Sequence, residues 1–321
     1  VVASMSEINA VGHRVVHGGE KFSQSTIIDA SVLQAIKDNV VLAPLHNPAN
    51  ITGIETAQEL FPGVPHVAVF DTAFHQTMPA HSYLYAIPMD LYKKHHIRRY
   101  GFHGTSHYYV AKTAANTLGI HFDKANFVTL HLGNGASACA IENGKSIDTS
   151  MGLTPLEGLM MGTRSGDMDP AIVNFLANNA NMTVKEIDNM LNKQSGVKGL
   201  FFFFFFCYVE DAYIAKKPEA QTPMTAYCYR IKKYLGSYMA ALGRVDAVIF
   251  TAGVGENSPI IRDLVCKNLQ HLGIEIDPEL NNPRSKQPRV ISKPTSKVKV
   301  MVVPTNEELE IANQTLGLLR K

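Results

Sequence analysis

Four cysteines in 321 residues, none in a CxxC pair, leave neither a metal ribbon nor a disulfide framework to be read from this sequence. Cys139, Cys207, Cys228 and Cys266 read as free thiols of a reducing compartment, which points to the cytoplasm. No apolar run reaches the ~18 residues a membrane helix needs, and no secretory signal is visible, so no membrane partner is expected. An excess of one charge is missing too. Thirty basic residues against 28 acidic ones give +2, and basic pairs such as Lys232-Lys233 stand alone. That balance gives a nucleic acid no surface to hold. GxxxxGK[ST] is absent, which excludes a P-loop. GxGxxG after a first strand is absent as well, which disfavours a dinucleotide fold. The chain starts at Val1-Val2-Ala3 without a methionine, so its true N-terminus is expected to lie upstream.

What is present is an ordinary globular composition, 45% hydrophobic and 18% charged, in a length suited to two domains. Strand and helix patterns alternate, which predicts an α/β fold. Strands are expected at Val67 to Phe70, Asn126 to Leu132, Ala136 to Glu142, Lys145 to Thr149, Asp246 to Thr251 and Lys297 to Val303. Asn143-Gly144 joins two of them as a type I′ hairpin turn. The six phenylalanines at Phe201 to Phe206 suit neither a strand nor an amphipathic helix; they read as a sequence error and carry no function.

The chemistry centres on Met161-Gly-Thr-Arg-Ser-Gly-Asp-Met-Asp-Pro170. Asp169 and Pro170 look like an N-cap and first position of a helix over the apolar run that follows. Arg164 is therefore expected on a tight loop ahead of a helix N-terminus, a geometry suited to an anion. Arg14, among valines in Gly12-His-Arg-Val-Val-His-Gly-Gly, needs a carboxylate or a phosphate as partner. Asp71 ends a buried strand, where α/β sheets face their ligand crevice. Glycine turns after strands recur at Gly133–Gly135 and Gly253–Gly255 and suit phosphate. In Tyr100-Gly-Phe-His-Gly-Thr-Ser-His107, Thr105 or Ser106 can cap a helix, which puts His103 just ahead of its free N–H groups. His103 and His107 are four apart but lack the glutamate of a zinc HExxH pair, so His107 reads as structural. Near the C-terminus, Thr305 and Glu308 match a capping box, which leaves Glu307 to face the crevice and a Mg²⁺ ion.

GHRVVHGGE, LAPLHNPAN, VAVFDTAFHQTMP, YGFHGTSH, HLGNGAS, DTSMGLTPLEGLMMGTRSGDMDP, FTAGVGEN and PTNEEL occur in order from Gly12 to Leu309. Together they resemble the acetate/propionate/butyrate kinase family. The resemblance implies two duplicated ribonuclease-H-like domains of the actin, sugar kinase and heat-shock ATPase superfamily. Their expected extents are 1–72 plus 306–321, and 73–305. It also implies transfer of the ATP γ-phosphate to acetate, with Mg²⁺ or Mn²⁺, in a homodimer. Arg14 and Arg164 would flank carboxylate and phosphoryl group, His103 would stabilise the transition state, and Asp71 would be catalytic. His131, Leu132, Gly133, Asn134 and Gly135, with Gly253, Val254, Gly255, Glu256 and Asn257, would hold the nucleotide. Glu307 would hold the metal, and Val16, Leu45, Phe102 and Pro155 would form the acyl pocket. Two family segments have no counterpart: an initial strand with an Asn-x-Gly-Ser-Ser-Ser turn, and a polar Asp-x-Arg loop where the phenylalanine run stands. The alternatives are a propionate or butyrate kinase, an actin- or chaperone-like nucleotide-binding protein that makes no acyl phosphate, and an inactive fragment.

Overall fold

Short runs of apolar residues become strands buried on both faces, while strands with alternating polar residues take the edges. In the computed structural model, which describes residues 4–44, 46–201 and 206–320, nine such strands form two sheets. The smaller contains β1 (Val11–Val15), β2 (Thr26–Ile27) and β3 (His66–Phe70) in the order β1-β3-β2. β1 runs parallel to β3 and β2 antiparallel to it. The larger is built from β4 (Phe127–Leu132), β5 (Ala136–Glu142), β6 (Lys145–Thr149), β7 (Ala247–Thr251), β8 (Arg289–Val290) and β9 (Lys299–Val302), in the order β6-β5-β4-β7-β9-β8. β4, β7 and β9 are parallel neighbours; β5, β6 and β8 run against theirs. β3, β4 and β7 are buried at every residue. The expected α/β fold and all six expected strands are present. Asn143 and Gly144 both have positive φ, 50° and 74°, as a type I′ turn requires.

Helices cover both faces of the larger sheet. Val110, Ala111, Ala114 and Ala115 form the buried stripe of the Gly104–Leu118 helix, whose small residues let it lie close to β4 and β7. The Pro218–Leu242 helix packs on β4 and β5 from the other side. The C-terminal helix, Glu307–Leu319, joins the two halves by packing on β1, β3 and the Gly104–Leu118 helix. Gly12 permits this crossing: a methyl group there would lie 2.6 Å from Thr315 Oγ1 and 2.7 Å from Ile311. No helix among the described residues is long and apolar enough to cross a membrane.

Three local expectations need correction. Gly253 and Gly255 do not form a loop. The chain leaves β7 directly into a six-residue helix, Ala252–Asn257, and the positive φ that starts it, 64°, belongs to Ala252. The Gly104–Leu118 helix is capped by His103 itself at φ 58°, with Thr105 and Ser106 already inside its first turn. The C-terminal helix is capped by Asn306, whose side chain accepts the Leu309 N–H at 2.9 Å. Thr305 turns its hydroxyl to Ser106 instead, so no capping box sets Glu308 apart from Glu307. The phenylalanine run lies partly outside the described residues: helices end at Phe201 and resume at Phe206.

Candidate active site

β1 and β3 carry the first charged groups. Their parallel register sets Arg14 beside Val69, and the chain leaves β3 at Asp71, whose N–H donates to the Val15 carbonyl at 2.9 Å. Arg14 then meets Asp71 in a two-pronged contact: Nε donates to Oδ1 at 3.1 Å and Nη2 to Oδ2 at 2.5 Å. Asp71 is buried, while the Arg14 side chain stays 46% exposed. Burial raises the Asp71 pKa and Arg14 pulls it back; the Arg14 pKa is raised by the same partner. The guanidinium is thus held by one edge with its remaining surface open. Glu307, from the start of the C-terminal helix, comes within 3.8 Å of Arg14 Nε. Burial and the neighbouring Asp71 raise its pKa.

The larger half supplies histidines and glycines. The Gly104 N–H donates to the Asp71 carbonyl at 2.9 Å, and a methyl group on Gly104 would sit 2.3 Å from that oxygen. The close approach brings His103 to the end of β3. His103 stacks on His131, with ring centroids 4.0 Å apart. Burial, assisted by the other imidazoles and both arginines, holds the His103 pKa well below its ordinary value, so the ring is neutral. Gly135 adjoins it. A methyl group there would lie 3.3 Å from Arg164 Nη1 and 3.8 Å from His103 Nε2, so these three residues face one another. Gly133 and Gly135 both keep negative-φ backbones; space, not φ, is what they provide.

Arg164 lies on a loop ahead of a helix, as expected, but the N-cap residue of that helix is Pro170 rather than Asp169. The helix is Ala171–Asn179, and Asp169 accepts the Ala171 N–H at 2.9 Å, but none of its residues is buried. The Arg164 loop is instead tied inward: Gly162 N–H donates to Asn134 O at 2.9 Å and Ser165 N–H to Leu191 O at 3.1 Å. Its guanidinium donates to the Pro155 carbonyl at 3.4 Å and approaches the Met161 sulfur at 3.8 Å. No carboxylate pairs with it among the described residues, and burial lowers its pKa. A half-buried cation without a counter-ion calls for an anionic ligand. Arg164 and His103 meet beside Gly135, and both arginines help lower the pKa values of His103 and His46.

Val16 and Phe102 share one buried apolar cluster, and Pro155 adjoins Arg164 through its carbonyl. Leu45 lies outside the described residues. On the nucleotide side, His131 and Leu132 end β4 ahead of the Gly133–Gly135 turn, and Gly253, Val254, Gly255, Glu256 and Asn257 lie on the short helix after β7. Glu256 is already engaged, accepting the Thr305 N–H at 3.1 Å. The described residues hold no cluster of three metal-binding side chains. A lone carboxylate such as Glu307 still fits Mg²⁺, which keeps most of its waters and takes phosphate oxygens.

Other contributors were not legible beforehand. Asn47 and Asn50 accept the His17 and Val16 N–H groups at 3.1 Å each and so shape the chain after β1. Two asparagines in the first turn of a helix were the available signal. Arg262, 1% exposed, donates to the Gly255 and Glu256 carbonyls at 2.8 and 3.0 Å and holds the short helix from behind. Nothing in its sequence surroundings marks it.

The acetokinase family model matches residues 1–313. The acetate kinase of Thermosipho melanesiensis is 56% identical over 323 residues, spanning all of this chain and 79% of that protein. Two solved structures are similar. Porphyromonas gingivalis acetate kinase superposes with a TM-score of 0.96 at 50% identity, covering 99% of this chain and 80% of that one. A propionate kinase from Francisella tularensis superposes with 0.93 at 48%, covering 98% and 80%. The motifs, the paired sheets and these matches agree, and the chain belongs to the acetokinase family.

Proposed function

We propose that this chain moves the γ-phosphoryl group of ATP reversibly to acetate, giving acetyl phosphate and ADP, in the cytoplasm. The observation that carries the reading is Arg164, a half-buried cation with no carboxylate partner among the described residues, set beside Gly135 with the neutral His103 imidazole, whose pKa Arg14 also helps to lower. A carboxylic acid with a pKa near ~4 is ionised at pH 7, so the acceptor needs cations and no general base. One acetate oxygen bonds to the γ-phosphorus as the bond to the ADP oxygen breaks in line, and the electron pair leaves with ADP. Arg14 and Arg164 neutralise the equatorial oxygens, and His103 adds a hydrogen bond. Asp71 is already committed to Arg14 and orients it rather than taking a proton. Val16, Phe102 and Pro155 enclose the methyl group. His131–Gly135 and Gly253–Asn257 receive the nucleotide. Mg²⁺ held by Glu307, directly or through water, would supply further charge neutralisation on the phosphates.

In the same reading, residues 1–72 with 306–321 form one domain, 73–305 the other, and the active protein is a homodimer. Hydroxylamine trapping tests the central reaction. ATP, Mg²⁺ and acetate are expected to give acetohydroxamate. ATP hydrolysis without hydroxamate would leave an actin- or chaperone-like nucleotide-binding protein. The propionate kinase from Francisella tularensis makes propionate the second substrate to compare. One methylene is worth only ~1–3 kcal/mol of discrimination, so kcat/KM for acetate, propionate and butyrate decides between them.

A further inference from the structure

A neutral imidazole stabilises a phosphoryl group only through its single N–H, so it matters which nitrogen of His103 carries the proton. His103 Nδ1 lies 2.8 Å from Ser137 Oγ, and the same oxygen lies 2.8 Å from His107 Nε2. His107 Nδ1 in turn lies 2.7 Å from Thr129 Oγ1. Ser137, His107 and Thr129 are completely buried. His103 Nε2 has no hydrogen-bond partner among the described residues, and the Cε1–Nε2 edge of the ring lies beside Gly135, which Arg164 Nη1 also approaches.

Accepting from both rings would bury the Ser137 hydroxyl proton without a partner, so its oxygen donates to one ring nitrogen and accepts from the other. The tautomers of the two rings are thereby linked. In one arrangement the Thr129 hydroxyl donates to His107 Nδ1, His107 Nε2–H donates to Ser137, and Ser137 donates to His103 Nδ1. His103 then presents Nε2–H to the site. In the opposite arrangement His103 presents a bare lone pair, which repels phosphoryl oxygens. Burial keeps both rings neutral, the condition under which each carries a single proton.

His75, nearby, shows the contrasting case. Its Nε2 faces the Phe102 carbonyl at 3.0 Å, an acceptor only, so its tautomer is set locally and Nδ1 accepts from Ser146 at 2.8 Å. The His103 chain contains no such carbonyl. Its direction is decided jointly by the Thr129 hydroxyl at one end and the anion at the other.

We propose that Thr129, His107 and Ser137 are positioning residues that fix His103 in its Nε2–H tautomer and so make a neutral ring the hydrogen-bond donor to the phosphoryl group in transfer. The inference rests on the kinase reading for its purpose, not for its geometry. Nitrogen-15 NMR of the histidine-labelled protein with ADP bound reads the tautomers without any turnover. Protonated Nε2 and bare Nδ1 are expected on both His103 and His107, and a proton on His103 Nδ1 overturns the proposal. Kinetics give the second readout. His107→Leu is expected to lower kcat for acyl phosphate formation about 10²-fold, the scale of losing one transition-state donor, with KM for ATP and acetate within about twofold. His107→Gln, whose amide can still donate to Ser137, should recover most of that loss. A folded His107→Leu enzyme with undiminished kcat, or a folded His107→Gln no better than His107→Leu, contradicts it. If the wild type traps no hydroxamate, the kinase reading fails, and the NMR spectrum still decides the tautomer.

Discussion

The small sheet repeats half of the large one. Its strands β1, β3 and β2 have the same spatial order, the same chain order and the same directions as β7, β9 and β8. In the large sheet β7 is also paired with β4, and all five of its residues are buried. β1 has no strand on its other edge among the described residues, and four of its five residues are at least partly exposed. The difference decides what each half can bring to the site. The enclosed strands of the large half bear only uncharged polar groups among their apolar residues, Thr129 and His131 on β4, and its arginine, Arg164, stands on a loop. The open strand can hold Arg14 with one edge on buried Asp71 and the rest in solvent. Both halves deliver at the C-terminal ends of parallel strands, where α/β sheets bind ligands.

Replacing each arginine sharpens this contrast most. Arg14→Ala and Arg164→Ala are each expected to lower kcat/KM by about 10³-fold or more, in line with arginines that stabilise a transferring phosphoryl group. Their effects on stability should part. Arg14→Ala leaves Asp71 buried without its partner, at a cost of about 3 kcal/mol. Arg164→Ala removes a cation that has no ion partner among the described residues and should leave the melting temperature unchanged or higher. Equal thermal shifts for the two variants would break the comparison.

A second pair contrasts crowded and open glycines. Gly12→Val drives a side chain into Thr315 and Ile311 and should destabilise by about 1–3 kcal/mol while loosening Glu307 from Arg14. Gly253→Ala meets nothing within 4 Å on a helix and should stabilise by roughly 0.5–1 kcal/mol. Urea midpoints measure both, and a destabilised Gly253→Ala would mean the short helix is not the resting conformation.

Those glycines also mark how far the sequence could be read. The strands were legible because buried apolar runs and the Asn143-Gly144 turn are local signals. Arg14, Asp71, His103 and Gly135 could be nominated one at a time, because an arginine among valines or an aspartate at a strand end is already costly in isolation. Their meeting was not legible: it depends on Gly104 touching Asp71 and on Asn134 holding the Arg164 loop, contacts between distant segments. Caps failed for the same reason. Thr305 suited a capping box locally, but Ser106 and Glu256 compete for it across the fold.

Acid should weaken both halves. Burial lowers the pKa of His17, His75 and His131 to about 4. Unfolded histidines titrate near ~6.5, so the unfolded chain binds the extra protons first as pH falls. The stability these groups contribute is complete above pH ~6.5 and is lost progressively toward pH 4. Urea midpoints at pH 7.5 and 5 should differ accordingly, and equal midpoints would argue that these rings are charged in the folded protein. The gentlest contrast is exchange: β1 amides are expected to exchange at least about tenfold faster than those of β7, because the open edge lacks a second strand.

The central claim is that Arg14 from the open strand and Arg164 from the large half close on one phosphoryl group. A crystal structure with ADP, acetate and a planar phosphoryl mimic tests it most directly. The mimic is expected between the two guanidinium groups, with His103 Nε2 within hydrogen-bond distance and acetate on its far side from ADP. A mimic bound to Arg164 while Arg14 remains out of reach would contradict it.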